Sequence, residues 1–338
     1  MKEFFAMFKD KAYRAWLQIG LSILFVVIAL TFCISSAINN NRTQRKATAE
    51  YKNVAQEHNQ RVDELRQNDR LLKTPTYYIE QDPVGETGFK FTVLDVGQAS
   101  CNLICCDGHY MIFDGGDRDT SSFVFSYMEN TERVPYFDYV VASHYDSDHI
   151  AGLIGILKKF PVGCVLGAPY AAGTKTYDSF YSAAYTKGGL VYPNPGDEFM
   201  IGSAYCKVVS PVGLSYEDEN SYSVGIRFVY GDTSFLVMGD ATTETEHDSI
   251  EAGLIEPTDV LIVNHHGSWS SSSQEFIDAV DPQVAIISVG ANNDYGHPAP
   301  EVLDRLAGIP LYRTDVYGTV TLISDGTNID IYTEKEIQ

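Results

Sequence analysis

The chain has 338 residues, 44% hydrophobic and 20% charged, with a formal net charge of −21. That is the composition of a globular protein, long enough for one large domain or two small ones. The charge counts against tight nucleic-acid binding unless bound metal ions or a local basic patch offset the field. It is also uneven: residues 1–75 carry 12 Lys and Arg against 7 Asp and Glu, net +5, leaving a body of net −26.

Residues 1–15 form a short tail. Between Arg14 and Arg42 there is no charged residue, and 16–38 is mostly apolar. About 20 such residues cross a bilayer, so this segment is predicted to be a transmembrane anchor. A cleaved signal sequence is the competing reading, because Ser35, Ser36 and Ala37 offer small residues at plausible cleavage positions. Lys2, Lys9, Lys11 and Arg14 precede the span and Arg42, Arg45 and Lys46 follow it. The charge rule leans toward an inside N-terminus and an extracytoplasmic body. Residues 39–75 are polar, with a thin stripe at Val54, Val62, Leu65 and Leu72. They read as a helical stalk able to self-associate, or as a disordered linker.

Residues 76–338 carry the punctuation of one mixed α/β domain. Strands are predicted at 89–96, 101–106, 110–114, 138–143, 223–229, 234–238, 260–263 and 284–289, with helices at 273–280 and 300–307. Asp107-Gly108 marks a hairpin turn. Cys33 lies in the apolar span, and Cys101, Cys105, Cys106, Cys164 and Cys206 contain no Cys-x-x-Cys pair. Free buried thiols are expected rather than a structural zinc site.

The chemistry gathers where the apolar strand at 138–143 stops. His144, Asp146, Asp148 and His149 follow within six residues, and Ile150, Leu153, Ile154 and Leu157 then recur at the spacing of one helix face. Imidazole mixed with carboxylate suits Zn²⁺, Mn²⁺ or Fe²⁺ rather than Ca²⁺. Six residues cannot supply every ligand. Two further apolar strands end in ligand types: 235–238 in Gly239-Asp240 and 260–263 in Asn264-His265-His266-Gly267-Ser268. Strand ends are where open α/β folds place their sites.

His-x-Asp-x-Asp-His at 144–149 resembles the signature of the metallo-β-lactamase superfamily. In order along the chain stand Asp95-Val96-Gly97-Gln98, Asp114-Gly115-Gly116, His144 to His149, and Glu219-Asn220-x-x-Ser223. Gly239-Asp240, His265-His266-Gly267-Ser268 and Tyr295-Gly296-His297-Pro298 follow. Together they resemble the exported hydrolase domain of ComEC-type DNA-uptake proteins, from about residue 89 to the C-terminus. The resemblance implies an α/β fold, an αββα sandwich, with two divalent metal ions, zinc or manganese. It places His144 and Asp146 on a first ion. Asp148, His149 and His265 or His266 fall on a second, with Asp240 bridging. Of the two adjacent histidines, His265 is preferred as the ligand because it is nearest the strand end, leaving His266 to orient it or to bind substrate. Most superfamily enzymes supply a third His about twenty residues before the bridging Asp; Asn220 stands there. That change weakens the first site or makes it select a harder ion such as Mn²⁺. The acidic residue the family carries after Gln98 is replaced by Ala99-Ser100.

The expected chemistry is two-metal hydrolysis of a phosphodiester, with Asp148 and Asp240 beside the attacking water and His297 as acid for the leaving oxygen. Asn220, Ser223, His266 and Ser268 are candidate substrate contacts. DNA outside the membrane and a cell-envelope or small phosphoester are both open as substrates. A catalytically silent membrane-anchored scaffold is the alternative from another class.

Overall fold

A computed structural model describes residues 88–336; the predicted span at 16–38 and the stalk at 39–75 lie outside them. Among the described residues no helix is long and apolar enough to cross a membrane.

The first sheet begins with β1 (Phe89–Val93), β2 (Asn102–Cys106) and β3 (His109–Phe113), which run antiparallel. Asp107 and Gly108 join β2 to β3 with φ of 51° and 80°, the paired positive values of a type I′ hairpin turn. Next come β4 (Phe137–Val141), β5 (Val162–Leu166) and β6 (Leu190–Val191), parallel to β3. Every residue of β2 and β4 is buried, which is why, Asn102 and Asp138 apart, these segments read as apolar runs rather than alternating ones. The helices α1 (Ser121–Ser126), α2 (Ser147–Lys159) and α3 (Lys175–Tyr185) connect them.

The second sheet runs through β7 (Glu198–Ile201), β8 (Ala204–Ser210), β9 (Gly225–Tyr230), β10 (Thr233–Val237), β11 (Val260–Ile262), β12 (Val284–Ile287) and β13 (Leu311–Arg313). Its strands are antiparallel from β7 to β10 and parallel from β10 to β13. The chain then returns to the first sheet as β14 (Val320–Ser324) and β15 (Ile329–Thr333), so that the orders are β15-β14-β1-β2-β3-β4-β5-β6 and β13-β12-β11-β10-β9-β8-β7.

The sheets meet through aromatic side chains. Phe89 lies 4.7 Å from Phe235, centroid to centroid, and Phe91 stacks on Phe235 at 5.8 Å. On its other side the second sheet packs Leu236, Leu261, Ala285 and Ile287 against Phe276, Ile277 and Val280 of α5 (Gln274–Val280) and Val302 of α6 (Pro300–Arg305). Between β10 and β11 lies α4 (Thr243–Glu251). Two facing sheets with helices on their outer sides match the expected architecture. The thiols match as well: Cys101, Cys105, Cys106 and Cys206 are free and buried, and Cys164 is free and half-buried.

Two close approaches aim the strand ends at each other. A Cβ on Gly152 of α2 would overlap the carbonyl oxygen of Gly115, which follows β3. The bare backbones bring the start of α2 against Asp114-Gly115-Gly116, and Gly115 N donates to His149 O at 2.6 Å. Likewise a Cβ on Gly239 (φ 55°) would stand 2.4 Å from Ser143 Cβ, so only glycine lets the end of β10 reach the end of β4.

Candidate metal centre

The ends of β3, β4, β10 and β11 therefore converge. Asp114 leaves β3, Ser143 and His144 leave β4, Asp148 and His149 open α2, Asp240 follows β10, and His265 and His266 follow β11. Two groups of donor atoms, each within 4.8 Å, result: His144, His149 and Asp240, and Asp148, His149 and His266. His149 belongs to both. Its Nε2 is 3.2 Å from Asp240 Oδ1, 3.3 Å from His266 Nε2 and 3.7 Å from Asp148 Oδ2.

Hydrogen bonds behind the rings fix which nitrogen faces inward. His149 Nδ1 donates to Asp114 Oδ2 at 2.8 Å. His266 Nδ1 donates to the carbonyl of Ser288 at 2.8 Å. The Ser143 hydroxyl gives its one proton to Asp114 Oδ2 at 2.9 Å, so at 3.0 Å from His144 Nδ1 it accepts. In all three rings Nδ1 holds its proton on the support behind it, so Nε2 is the nitrogen left to bind an ion. His144 Nε2 is buried without a hydrogen-bond partner. An orphaned imidazole lone pair beside buried carboxylates is costly unless a cation completes it. Back-bonded imidazoles of this kind are how proteins hold transition metals.

The ion-free electrostatics agree. Burial works against charge on His149 and His266, yet Asp240, with Asp114 and Asp148, raises His149 well above the usual range, and Asp240 and Asp148 raise His266. Burial likewise opposes the Asp148 carboxylate, but His149 and His266 bring it down to about 2. Asp240 is lowered well below normal, again against burial, by His149, His266 and His265. The carboxylates draw protons onto the rings because the cavity demands positive charge. Divalent cations fit this donor set. Zinc and manganese both accept imidazole with carboxylate.

The predicted residues occupy different ranks. His266 joins a donor group and His265 does not. Both have positive φ (53° and 54°), which turns His266 inward onto Ser288 and leaves His265 beside it. His265 Nε2 is 3.5 Å from Asp240 Oδ2, and its Nδ1 has no partner. Asp146 is the N-cap residue of α2 but makes no side-chain cap bond. Its Oδ2 is 3.7 Å from His144 Nε2, its side chain is 53% exposed, and it joins neither group. Asn220 lies on the 3₁₀ turn Glu219–Tyr222, outside both groups. Burial and Asp146 raise the carboxyl pKa of its neighbour Glu219. Ser223 is buried under Gly239, and Ser268 is buried in the turn after His266, its Oγ 3.0 Å from Ser270 Oγ.

His297 stands at the rim, its ring 5.8 Å from that of His265. Gly290 N donates to Gln98 Oε1 at 3.1 Å, which turns the Gln98 amide nitrogen toward His297 Nδ1 at 3.3 Å. That pair makes His297 Nδ1 the acceptor and leaves the proton on Nε2. Burial, with His265 and His266 nearby, lowers its pKa to about 4. Near neutral pH it is an uncharged N–H donor, not an imidazolium.

Two supports, Asp114 and Glu246, have roles that no residue pattern assigns. Asp114 closes an apolar strand within a motif, as Asp240 does, but its bond to His149 spans 35 residues. Glu246 of α4 is buried and accepts from Asn264 Nδ2 at 2.8 Å and from Ser273 N at 2.9 Å, and also from Ser272 N. It staples both ends of the turn that presents His265 and His266.

A family model described as the metallo-beta-lactamase superfamily matches residues 94–291. Among curated proteins, the chain is 31% identical over 242 residues to Competence protein ComA of Neisseria gonorrhoeae, covering 71% of this chain and 33% of that protein. It is 31% identical over 253 residues to Recombination protein 2 of Haemophilus influenzae, covering 72% and 29%. It is 30% identical over 190 residues to ComE operon protein 3 of Bacillus subtilis, covering 55% and 24%. The chain thus spans a third or less of the curated relatives it matches, and these are ComEC-like competence proteins.

Proposed function

Since the chain belongs to the metallo-β-lactamase superfamily, whose members are typically metal-dependent hydrolases, we propose that it is a binuclear metal-dependent phosphodiesterase, with DNA outside the membrane as its favoured substrate. The observation that carries this reading is the convergence of three lone-pair Nε2 atoms, from His144, His149 and His266, on Asp148 and Asp240. Ions held there would supply charge for the phosphate oxygens and acidify water.

The protein's own groups do the rest. His144, His149 and Asp240 would hold one ion, with Asp146 closing its open side. Asp148, His149 and His266 would hold the other, beside Asp240. His297 donates its Nε2 proton in a hydrogen bond toward the leaving oxygen, an electrostatic rather than a full acid role given its lowered pKa. His265, next to both Asp240 and His297, is a substrate contact or a further ligand to the ion at Asp240. Asn220 would be a further substrate contact, while Ser223 and Ser268, both buried, would support the loops that carry the ligands. Relatives named for competence and recombination support nucleic acid as substrate. The uncharged stretch at 16–38 supports a membrane-held body facing outward.

The test is hydrolysis of a chromogenic phosphodiester and of single- and double-stranded DNA by the full chain in detergent, with Mn²⁺ or Zn²⁺, beside Asp148→Ala. Cleavage of DNA that is lost in the variant and in chelator is expected. Cleavage of the small diester alone would move the substrate to an envelope or small phosphoester. No cleavage of either would leave a silent membrane-anchored scaffold.

A further inference from the structure

Two aromatic side chains stand in water on the loops that carry the site's histidines. Trp269 is 71% exposed, three residues after His266, and Tyr295 is 74% exposed, two residues before His297. The loops adjoin: a Cβ on Gly267 would stand 2.7 Å from Pro298 Cβ, and Ala299 N donates to Gly267 O at 2.8 Å. One face of Tyr295 is stacked on His297, centroids 5.7 Å apart and planes 28° apart. Further inward His297 meets His265 edge-on, and His265 Nε2 lies 3.5 Å from Asp240 Oδ2.

The charges beside the site point the same way. Asp114, Asp146, Asp148 and Asp240 form their ion pairs with histidines, not with Lys or Arg. The body around them is strongly acidic. Arg305, which adjoins the Trp269 loop, spends its Nη1 on the carbonyls of Ser271 and Ser272, both at 3.1 Å, so beyond the ions themselves uncharged contacts add to a polyanion's hold on the protein. Aromatic faces provide such contacts for nucleobases, whatever the sequence, provided the bases are unpaired.

We propose that Trp269 and Tyr295 form a base-stacking platform at the mouth of the site, which makes the substrate a single strand of nucleic acid. The scissile phosphate lies at Asp148 and Asp240, and a base beside it stacks on the Trp269–Tyr295 rim. This rests on the phosphodiesterase reading and narrows it: a phosphoester without a base gains nothing from the rim.

The experiment compares, on the full chain in detergent with Mn²⁺, a short oligothymidylate with a strand of equal length made of abasic sites. Wild type is expected to show a KM for the base-bearing strand lower by roughly 5- to 150-fold, the range of one stacked base. Trp269→Ala erases that preference, Trp269→Phe keeps most of it, and Tyr295→Ala reduces it. Equal KM values in wild type, or a preference that survives Trp269→Ala, would overturn the platform. If wild type cuts neither strand, the phosphodiesterase reading fails and a second measurement decides the platform alone. The chain has two tryptophans, Trp16 and Trp269, so Trp16→Phe leaves Trp269 as the fluorophore. Quenching by oligothymidylate but not by the abasic strand, with Zn²⁺ present, supports stacking; equal responses contradict it.

Discussion

The two donor groups share His149 but are built to different standards. In the group of Asp148, His149 and His266, both rings are locked from behind, by Asp114 and by the Ser288 carbonyl. In the other, His144 leans on a serine hydroxyl, and the two residues that would complete its ion's shell lie outside the group: Asp146, 53% exposed, and Asn220, which stands where the superfamily's third imidazole would be. A locked ligand set loses little entropy on binding, whereas a solvated carboxylate must be ordered and stripped of water. One ion is therefore expected to be resident and the other exchangeable.

The largest effect is expected from the shared residue. His149→Ala should remove both ions and cost more than the ~10–100-fold typical of losing an outer partner, read as metal content and kcat/KM. Asp114→Asn keeps the shape behind His149 but removes the charge. It should cost about 10–100-fold in metal affinity, mainly for the resident ion, measured by competition with a chelating dye. His144→Ala breaks the asymmetry from the other side: one ion per chain should be lost while the Asp148, His149 and His266 group keeps its own. A loss of both would show the two groups to be one cooperative unit.

Gln98→Leu frees the His297 tautomer. Losing one such bond is worth about 1 kcal/mol, roughly fivefold in kcat, with KM and metal content unchanged.

The smallest effect lies at the far end of the same two strands, where β3 and β4 make another His–Asp pair. His109 Nδ1 is 3.1 Å from Asp138 Oδ1, and that bond raises the His109 pKa. A raised imidazole pKa stabilises the fold below the unfolded value of 6.5, and the contribution is lost as pH rises through the folded pKa. With 29% of its side chain exposed, solvent screening holds this to under about 1 kcal/mol. His109→Gln should therefore lower Tm at pH 5.5 and leave it nearly unchanged at pH 9. An equal loss at both would mean a packing effect without charge.

Much of this was legible in the chain because the central strands are buried on both faces. Residues 138–143 and 260–263 announce themselves as apolar runs, and ligand types just past them marked the site. What escaped lacks that contrast. The helix α4 reads Thr-Glu-Thr-Glu-His-Asp-Ser-Ile-Glu, and the residues it buries are Thr245, Glu246 and Ser249, satisfied by hydrogen bonds rather than by an apolar stripe. The strand β15 sits at the sheet edge with none of its residues buried, and β14 beside it alternates buried with partly exposed residues. That His266 rather than His265 joins a donor group follows from two successive positive φ angles, which no residue pattern prints. Asp114 matters through a partner 35 residues away, a contact only the fold supplies.

The most direct test of a resident and an exchangeable ion is native mass spectrometry of the full chain in detergent during a Mn²⁺ or Zn²⁺ titration, with phosphodiester hydrolysis followed in parallel. Two ions are expected to be taken up in separate steps, the weaker one lost in His144→Ala and the tighter one in His266→Ala, with hydrolysis abolished by chelator. A chain that retains no ion, or hydrolyses its substrate equally well in chelator, would contradict that expectation.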